Sequence, residues 1–401
     1  MIKQNSIVKH KHKGIVNFFV YSLPLILLLE WLNEFKILEG NYTLYLRGLS
    51  IIVFSLFLIF KPYKIKDFDF KKILISFLLI NLVYSIFSSD VLYNIYYFSK
   101  IAYWILGAFT FYYLHSYNYL SIKKFRMMIV LIALIGSVFT IIFLDRLSLE
   151  GLYDNGNAYL LMWCLPILLL FKRNKIVTYS FLIAIVAILF TIKRGAILAT
   201  ISGLLVYFFM LIKMSKKSKS NFKYLFSGII IFSLVAIVLV SKWDILGERL
   251  KDTSGSGRET LYPRLIKHYI ESPLENLVFG FGINSVQIFT NPNKLYYSEN
   301  KYKGVKAHSD WLQTIHDFGF FGFLFMLLLH IKFISMIRYN SKIRSDLLPT
   351  LLFTYVIFTL TTIYSFILSA PNGIFFGILI SVLNIKANNI KHKIFNELPR
   401  N

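Results

Sequence analysis

Two adjacent bases, Lys193 and Arg194, stand in Thr191-Ile192-Lys193-Arg194-Gly195-Ala196, between two apolar runs. A charge near a bilayer is costly unless it reaches the headgroups or meets something anionic. Position alone leaves both options open. Arg offers a planar fork of donors that matches phosphate oxygens and keeps its charge. Two further arginines, Arg258 and Arg264, lie in Ser256-Gly257-Arg258-Glu259-Thr260-Leu261-Tyr262-Pro263-Arg264. They are either anion contacts or a solvated loop face with Arg258 paired to an acid. His308, in Ala307-His308-Ser309-Asp310-Trp311, ends a long polar stretch just before an apolar run. A neutral imidazole there can accept a proton near neutral pH; the alternative is an ordinary interfacial histidine. His268, His316 and His330 read more readily as structural. The histidines lack the carboxylate and Cys partners of a metal site, and no HExxH is present. Gly280-Phe281-Gly282 is a turn rather than a dinucleotide fingerprint, which needs a longer glycine pattern in a βαβ unit. Asn157, after a turn at 153–156, reads as a helix cap.

The elements that position these residues follow from composition. The chain has 401 residues, 56% hydrophobic and 16% charged. A soluble domain carries about 25% charged residues, so this chain has too little charge to cover a water-facing surface. The net charge of +24 does not mark nucleic-acid binding, because Lys and Arg sit in short clusters between apolar runs. The lone cysteine, Cys164, cannot form an internal disulfide. The first apolar stretch, from Ile15, has no cleavage-type site after it and reads as a retained span.

A bilayer core about 30 Å thick needs about 20 apolar residues as a helix. Runs of that kind are centred in 15–33, 42–60, 73–88, 95–114, 127–144, 157–171, 176–192, 196–212, 224–241, 319–337, 351–369 and 373–385. The fold class is therefore all-α, a polytopic membrane protein with about twelve spans. With the N-terminus inside, 28 of the 44 Lys and Arg residues fall in inside segments, 6 in short outside ones and 10 in 242–318. That asymmetry supports cytoplasmic N- and C-termini. The expected organisation is spans one to nine in 1–241, a large extracytoplasmic loop in 242–318, and three spans with a cytoplasmic tail in 319–401.

In order along the chain stand an Asn–Ala helix start, an Arg–Gly hairpin, a long outer loop with an early Arg, a Gly-x-Gly, and a His before a Gly-rich span. This order resembles the superfamily of bacterial O-antigen polymerases (Wzy-type) and O-antigen ligases. The most specific piece is His308-Ser309, nine residues, then Gly319-Phe320-Phe321-Gly322, similar to the family's H-[NSQ]-x9-GxxG. Phe323 follows, where the ligase form has Gly, Thr or Tyr. Lys193-Arg194-Gly195-Ala196 looks like the S-R-G-[AG] hairpin, with Lys replacing the small residue, and Phe279-Gly280-Phe281-Gly282 looks like the F-G-x-G turn. Asn157 matches the Asn before a Pro-containing span, here with Pro166. The resemblance covers roughly 150–335.

The resemblance implies a GT-C-like enzyme of the bacterial inner membrane. It implies glycosyl transfer from an undecaprenyl-diphosphate-linked oligosaccharide to a lipid-linked acceptor on the outer face, inverting, with no metal and no cofactor. Arg194 and Arg258 would stabilise the leaving diphosphate and His308 would act as general base. Arg264, Lys193 and Asn157 would contact substrate. Implied partners are the donor, the acceptor, membrane lipids and a chain-length regulator. Two rivals are a ligase that transfers the glycan to lipid A–core, and a twelve-span flippase or transporter. Transport folds carry related halves and midplane charges; neither is evident here.

Overall fold

The computed structural model describes residues 13–34, 42–60, 68–87, 91–142, 156–171, 174–191, 193–215, 258–290, 306–343, 345–364 and 373–397, with a few isolated positions between them. Among these, the chain forms helices and no strand. The first five are α1 (Lys13–Glu34), α2 (Tyr42–Ile59), α3 (Lys71–Ile86), α4 (Val91–Ser116) and α5 (Ile122–Ile142). Then come α6 (Gly156–Leu169), α7 (Lys175–Phe190) and α8 (Arg194–Met214). The polar segment contributes α9 (Arg258–Ile270), α10 (Leu274–Phe279) and α11 (Ser285–Thr290). The chain closes with α12 (Asp310–Lys342), α13 (Leu348–Tyr364) and α14 (Gly373–Glu397). Each expected run except 224–241 coincides with one of these helices; that run lies almost wholly outside the described residues.

By length and composition, α2, α5, α8 and α12 can cross a membrane, and α1, α6, α7, α13 and α14 contribute shorter apolar stretches, Lys13–Leu29, Ala158–Leu169, Lys175–Phe190, Leu348–Ile363 and Gly373–Ala387. Large apolar side chains stay exposed on the outer helices, such as Tyr21 and Leu25 on α1, Ile52 and Leu56 on α2, and Phe209 on α8. Contiguous exposed apolar surface is disfavoured in water and suits hydrocarbon.

The centre is α14. Its residues from Gly373 to Ile385 are all buried, as an all-round apolar helix requires. Phe376 receives the edges of Trp104 of α4 and Trp163 of α6 at 5.9 and 5.5 Å and stacks on Phe358 of α13 at 5.2 Å. Small residues let α4 approach closely. Gly377 sits against Ala108 and the Trp104 carbonyl, Gly107 sits against Ile374, and the Ser381 hydroxyl donates to the Ala108 carbonyl at 3.1 Å.

The pairing of α8 with α13 fixes one end of the bundle. Gly203 abuts Phe353 and Ile357, and the Tyr207 ring lies 6.2 Å from that of Phe353. Partners descend on α13 as numbers rise on α8, so the helices run antiparallel. At 1.5 Å per residue, Arg194 lies about 14 Å from the level of Gly203, which is the level of the C-terminal end of α13.

Candidate active site at one end of the bundle

The site is built around a kink. Gly319 has φ 61 and ψ −138 inside α12 and separates a polar first segment from the apolar run that follows. The turn after α10 seats on it. The Phe281 and Gly282 amides donate to the His316 and Asp317 carbonyls at 2.9 and 3.0 Å. A Cβ on Gly280 would stand 2.4 Å from the Asp317 carbonyl oxygen, and one on Gly319 would stand 2.6 Å from the Gly280 nitrogen and the Val278 carbonyl. Gly322 is held as tightly, with the Thr314 carbonyl where its Cβ would be. The two glycine motifs are thus opposite sides of one backbone contact. From the bundle, the Tyr84 hydroxyl of α3 donates to the Phe279 carbonyl.

His308 precedes the kink by one helical segment. It is half-buried and has φ 51, a conformation uncommon outside glycine. Ties on both sides hold it. The Tyr262 hydroxyl of α9 is 3.1 Å from the His308 carbonyl and 3.4 Å from the Ile363 carbonyl of α13. Ser309 caps α12 by accepting from the Leu312 amide at 3.4 Å, and its hydroxyl lies 3.3 Å from the Thr362 carbonyl. Described residues with positive φ are six, and five of them (Gly280, Gly282, Asn284, His308 and Gly319) lie in this region. Of these, Asn284 and His308 are not glycine, and backbone strain of that kind concentrates at functional sites.

Behind His308 runs a buried polar chain. His268 Nδ1 lies 3.0 Å from His316 Nε2, and His316 Nδ1 lies 2.6 Å from Ser285 Oγ. Ser285 Oγ donates to Asp317 Oδ1 at 2.7 Å, and the Ser285 amide donates to the same oxygen at 3.0 Å. Gln313 Nε2 donates to both Asp317 oxygens at 3.0 and 2.9 Å, while its Oε1 accepts from the Ala307 amide at 3.3 Å. One proton arrangement satisfies every member: His268 Nδ1–H to His316, His316 Nδ1–H to Ser285, and Ser285 O–H to Asp317. It needs both imidazoles neutral. Burial supports this, lowering His268 and, with His268 alongside, pushing His316 down to about 3. Burial also raises the Asp317 carboxyl to about 7, against the hydrogen bonds from Gln313 and Ser285 that favour its charge. Phe281 and Phe289 stack on His268 at 4.5 and 4.1 Å.

The cations take helix starts. Lys193 is the N-cap residue of α8, without a side-chain cap bond, and Arg194 is its first residue. Both are half-buried. The Lys193 ammonium lies 6.0 Å from the Tyr159 ring centre of α6. Arg258 is the first residue of α9. At helical spacing Tyr262 and Leu265 share a stripe of α9, and Tyr262, one turn after Arg258, is the residue tied to His308. Arg264 is exposed on α9, off that stripe. Asn157 lies in the first turn of α6, which begins at Gly156, rather than before it as a cap would. The side chains of Asn157 and Arg258 lie outside the described set.

Arg194, the α9 start and His308 therefore share the end of the bundle where α13 terminates. Sequence reasoning missed Asp317, Ser285, Gln313 and Tyr262, and set His268 and His316 aside. The one available signal was an acid beside a histidine just ahead of a glycine-rich run; the partner Ser285 is 32 residues away and gives no local sign.

No curated protein matches the chain closely enough to count as a relative. A family model described as O-antigen ligase matches residues 179–327, a little over a third of the chain. The match runs from α7 into the apolar part of α12 and takes in Lys193, Arg194, Arg258, His308 and the Gly280–Gly319 contact. Residues 179–327 are thus similar to the domain that the O-antigen ligase family model describes.

Proposed function

We propose that the protein is an O-antigen, capsular or exopolysaccharide polymerase. It transfers a growing glycan from undecaprenyl diphosphate to a lipid-linked repeat unit on the outer face of the inner membrane. The observation that carries the reading is the placement of bases at helix starts at the same end of the bundle as a strained histidine. A helix N-terminus carries partial positive charge that favours an anion, and Lys193, Arg194 and Arg258 at such starts add to it. A diphosphate leaving group supplies that anion. Fixed guanidinium groups stabilise the charge that builds as the glycosidic bond breaks, so the leaving group needs no acid. Arg194 and Arg258 take this role, with Lys193, Arg264 and Asn157 contacting substrate. His308 accepts the proton of the acceptor hydroxyl, a contribution of about 10²–10⁴ in rate. The hydroxyl oxygen attacks the anomeric carbon opposite the departing diphosphate, so the configuration inverts without a metal ion in the step. Twelve spans with both termini cytoplasmic put this end of the bundle outside. A chain-length regulator is the expected protein partner.

The description of the matching family favours one second reading, a ligase that moves the glycan to lipid A–core. Deletion separates them: loss of a polymerase leaves core carrying one repeat unit, and loss of a ligase leaves bare core. Complementation with Arg194→Ala, Arg258→Ala or His308→Ala should give no long-chain ladder. If all three restore it at normal protein levels, the assignment of these residues fails.

A further inference from the structure

The φ of 51 at His308 is a conformation that a residue with a side chain keeps only when its surroundings over-determine it. Two ties, from Tyr262 and from Ser309, act on the histidine's own carbonyl and on the helix that follows. A third acts one residue earlier. Ala307 is fully buried, and its amide donates to Gln313 Oε1 at 3.3 Å. A buried amide needs such a partner, so the Gln313 side chain fixes the backbone that leads into His308.

A side-chain amide can present either end, and Asp317 decides which. Gln313 Nε2 donates to both Asp317 oxygens at 3.0 and 2.9 Å, across one turn of α12. The nitrogen is therefore held toward Asp317 and the oxygen toward Ala307. Asp317 is fixed in turn by the Ser285 amide and hydroxyl, which both donate to Oδ1. Gln313 and Asp317 are only 2% and 5% exposed, so they are not placed to touch a substrate. Packing alone does not call for them, since apolar side chains of similar volume fill such space as well as a buried polar network does. An apolar pair would give the Ala307 amide no acceptor.

We propose that Gln313 and Asp317 are positioning residues for His308: the Asp317 carboxylate orients the Gln313 amide, and that amide holds the Ala307 N–H and with it the strained backbone that presents the imidazole. The proposal rests on the reading of His308 as general base and deepens it.

The test exchanges donor and acceptor. In Asp317→Asn the new oxygen can keep Ser285, but the new nitrogen faces Gln313 Nε2. Gln313 must then turn over, and its nitrogen meets the Ala307 N–H. Adding Gln313→Glu supplies a carboxylate that accepts from the new amide at one oxygen and from Ala307 at the other. Full-length protein in lipid nanodiscs is assayed for turnover of the lipid-linked repeat unit. Deuterium exchange at the His308 ring C2–H, followed by mass spectrometry, reads the imidazole with or without turnover. Asp317→Asn should lower kcat about tenfold, the effect of one buried hydrogen bond left unmade, with KM within about twofold. It should also change the exchange half-life of His308 about twofold or more. The double variant should return kcat to within about threefold of wild type and restore the wild-type exchange. Should Asp317→Asn fail to fold, Gln313→Glu alone, which sets two carboxylates against each other, decides by the same criteria. If His308 exchange shifts and recovers while turnover is absent or equal in every protein, the positioning stands and the general-base reading falls. His308 exchange that the single variant leaves unchanged, or a double variant that regains the wild-type melting temperature but neither the exchange nor kcat, overturns the positioning.

Discussion

Gly319→Ala probes the contact on which the site is built. Its backbone, at φ 61 and ψ −138, is one that L-residues occupy only at a cost of about 1–3 kcal/mol. The added Cβ would also stand 2.6 Å from backbone atoms of Val278 and Gly280. Backbone cannot swing aside as a flexible side chain can, so overpacking adds about 1–3 kcal/mol. The total is about 2–6 kcal/mol, a large share of the roughly 5–15 kcal/mol that holds a typical domain together. Two companions separate the terms. Gly282→Ala carries a positive φ of 93 with open space around its Cβ, so it meets strain alone. Gly48→Ala, inside α2 with nothing within 4 Å, meets neither and gains about 0.5–1 kcal/mol of helix preference. Melting temperatures in detergent should rank Gly48→Ala at or above wild type, then Gly282→Ala, then Gly319→Ala lowest. The Gly319→Ala strain should also lose its polysaccharide ladder. If Gly319→Ala melts with Gly282→Ala, the turn does not seat on the kink and the reasoning fails.

Tyr262→Phe removes a hydroxyl that ties α9 to the His308 carbonyl; kcat should fall several-fold with KM within twofold and a stability loss of about 1 kcal/mol, measured by turnover and melting. Asp317→Asn tests the buried carboxyl through pH. Asp317 is raised to about 7 in the fold, so the unfolded chain releases its proton first and the residue's contribution to stability declines from about pH 4 to about pH 7. His316 and His268, lowered by burial, give the opposite slope, because the unfolded chain takes up their protons as pH falls. Replacing Asp317 should therefore leave a melting temperature that climbs more steeply with pH between about 4 and 6.5 than that of wild type; parallel curves would refute the assignment.

Hydropathy alone located the helices well, because a run of apolar residues must lie within hydrocarbon or core whatever its neighbours are. Charge asymmetry marked Lys193 and Arg194 as exceptions, and they do begin a helix at the end where His308 lies. The motif glycines were visible, but the reason for them was not: a Cβ on Gly280 would meet the Asp317 carbonyl, and one on Gly319 would meet the Gly280 nitrogen and the Val278 carbonyl. Asp317 was illegible for a similar cause. Its significance comes from burial and from Ser285 across the α11 start, and neither leaves a periodic trace.

The central claim is that this chain itself joins lipid-linked glycans, and purified protein in nanodiscs tests it most directly. Given only undecaprenyl-diphosphate-linked repeat unit, with no nucleotide and no ion gradient, it should produce a ladder of lipid-linked oligomers and free lipid diphosphate, and the His308→Ala protein should not. Repeat units left unjoined by a folded wild-type protein, or transferred only once lipid A–core is added, would contradict it.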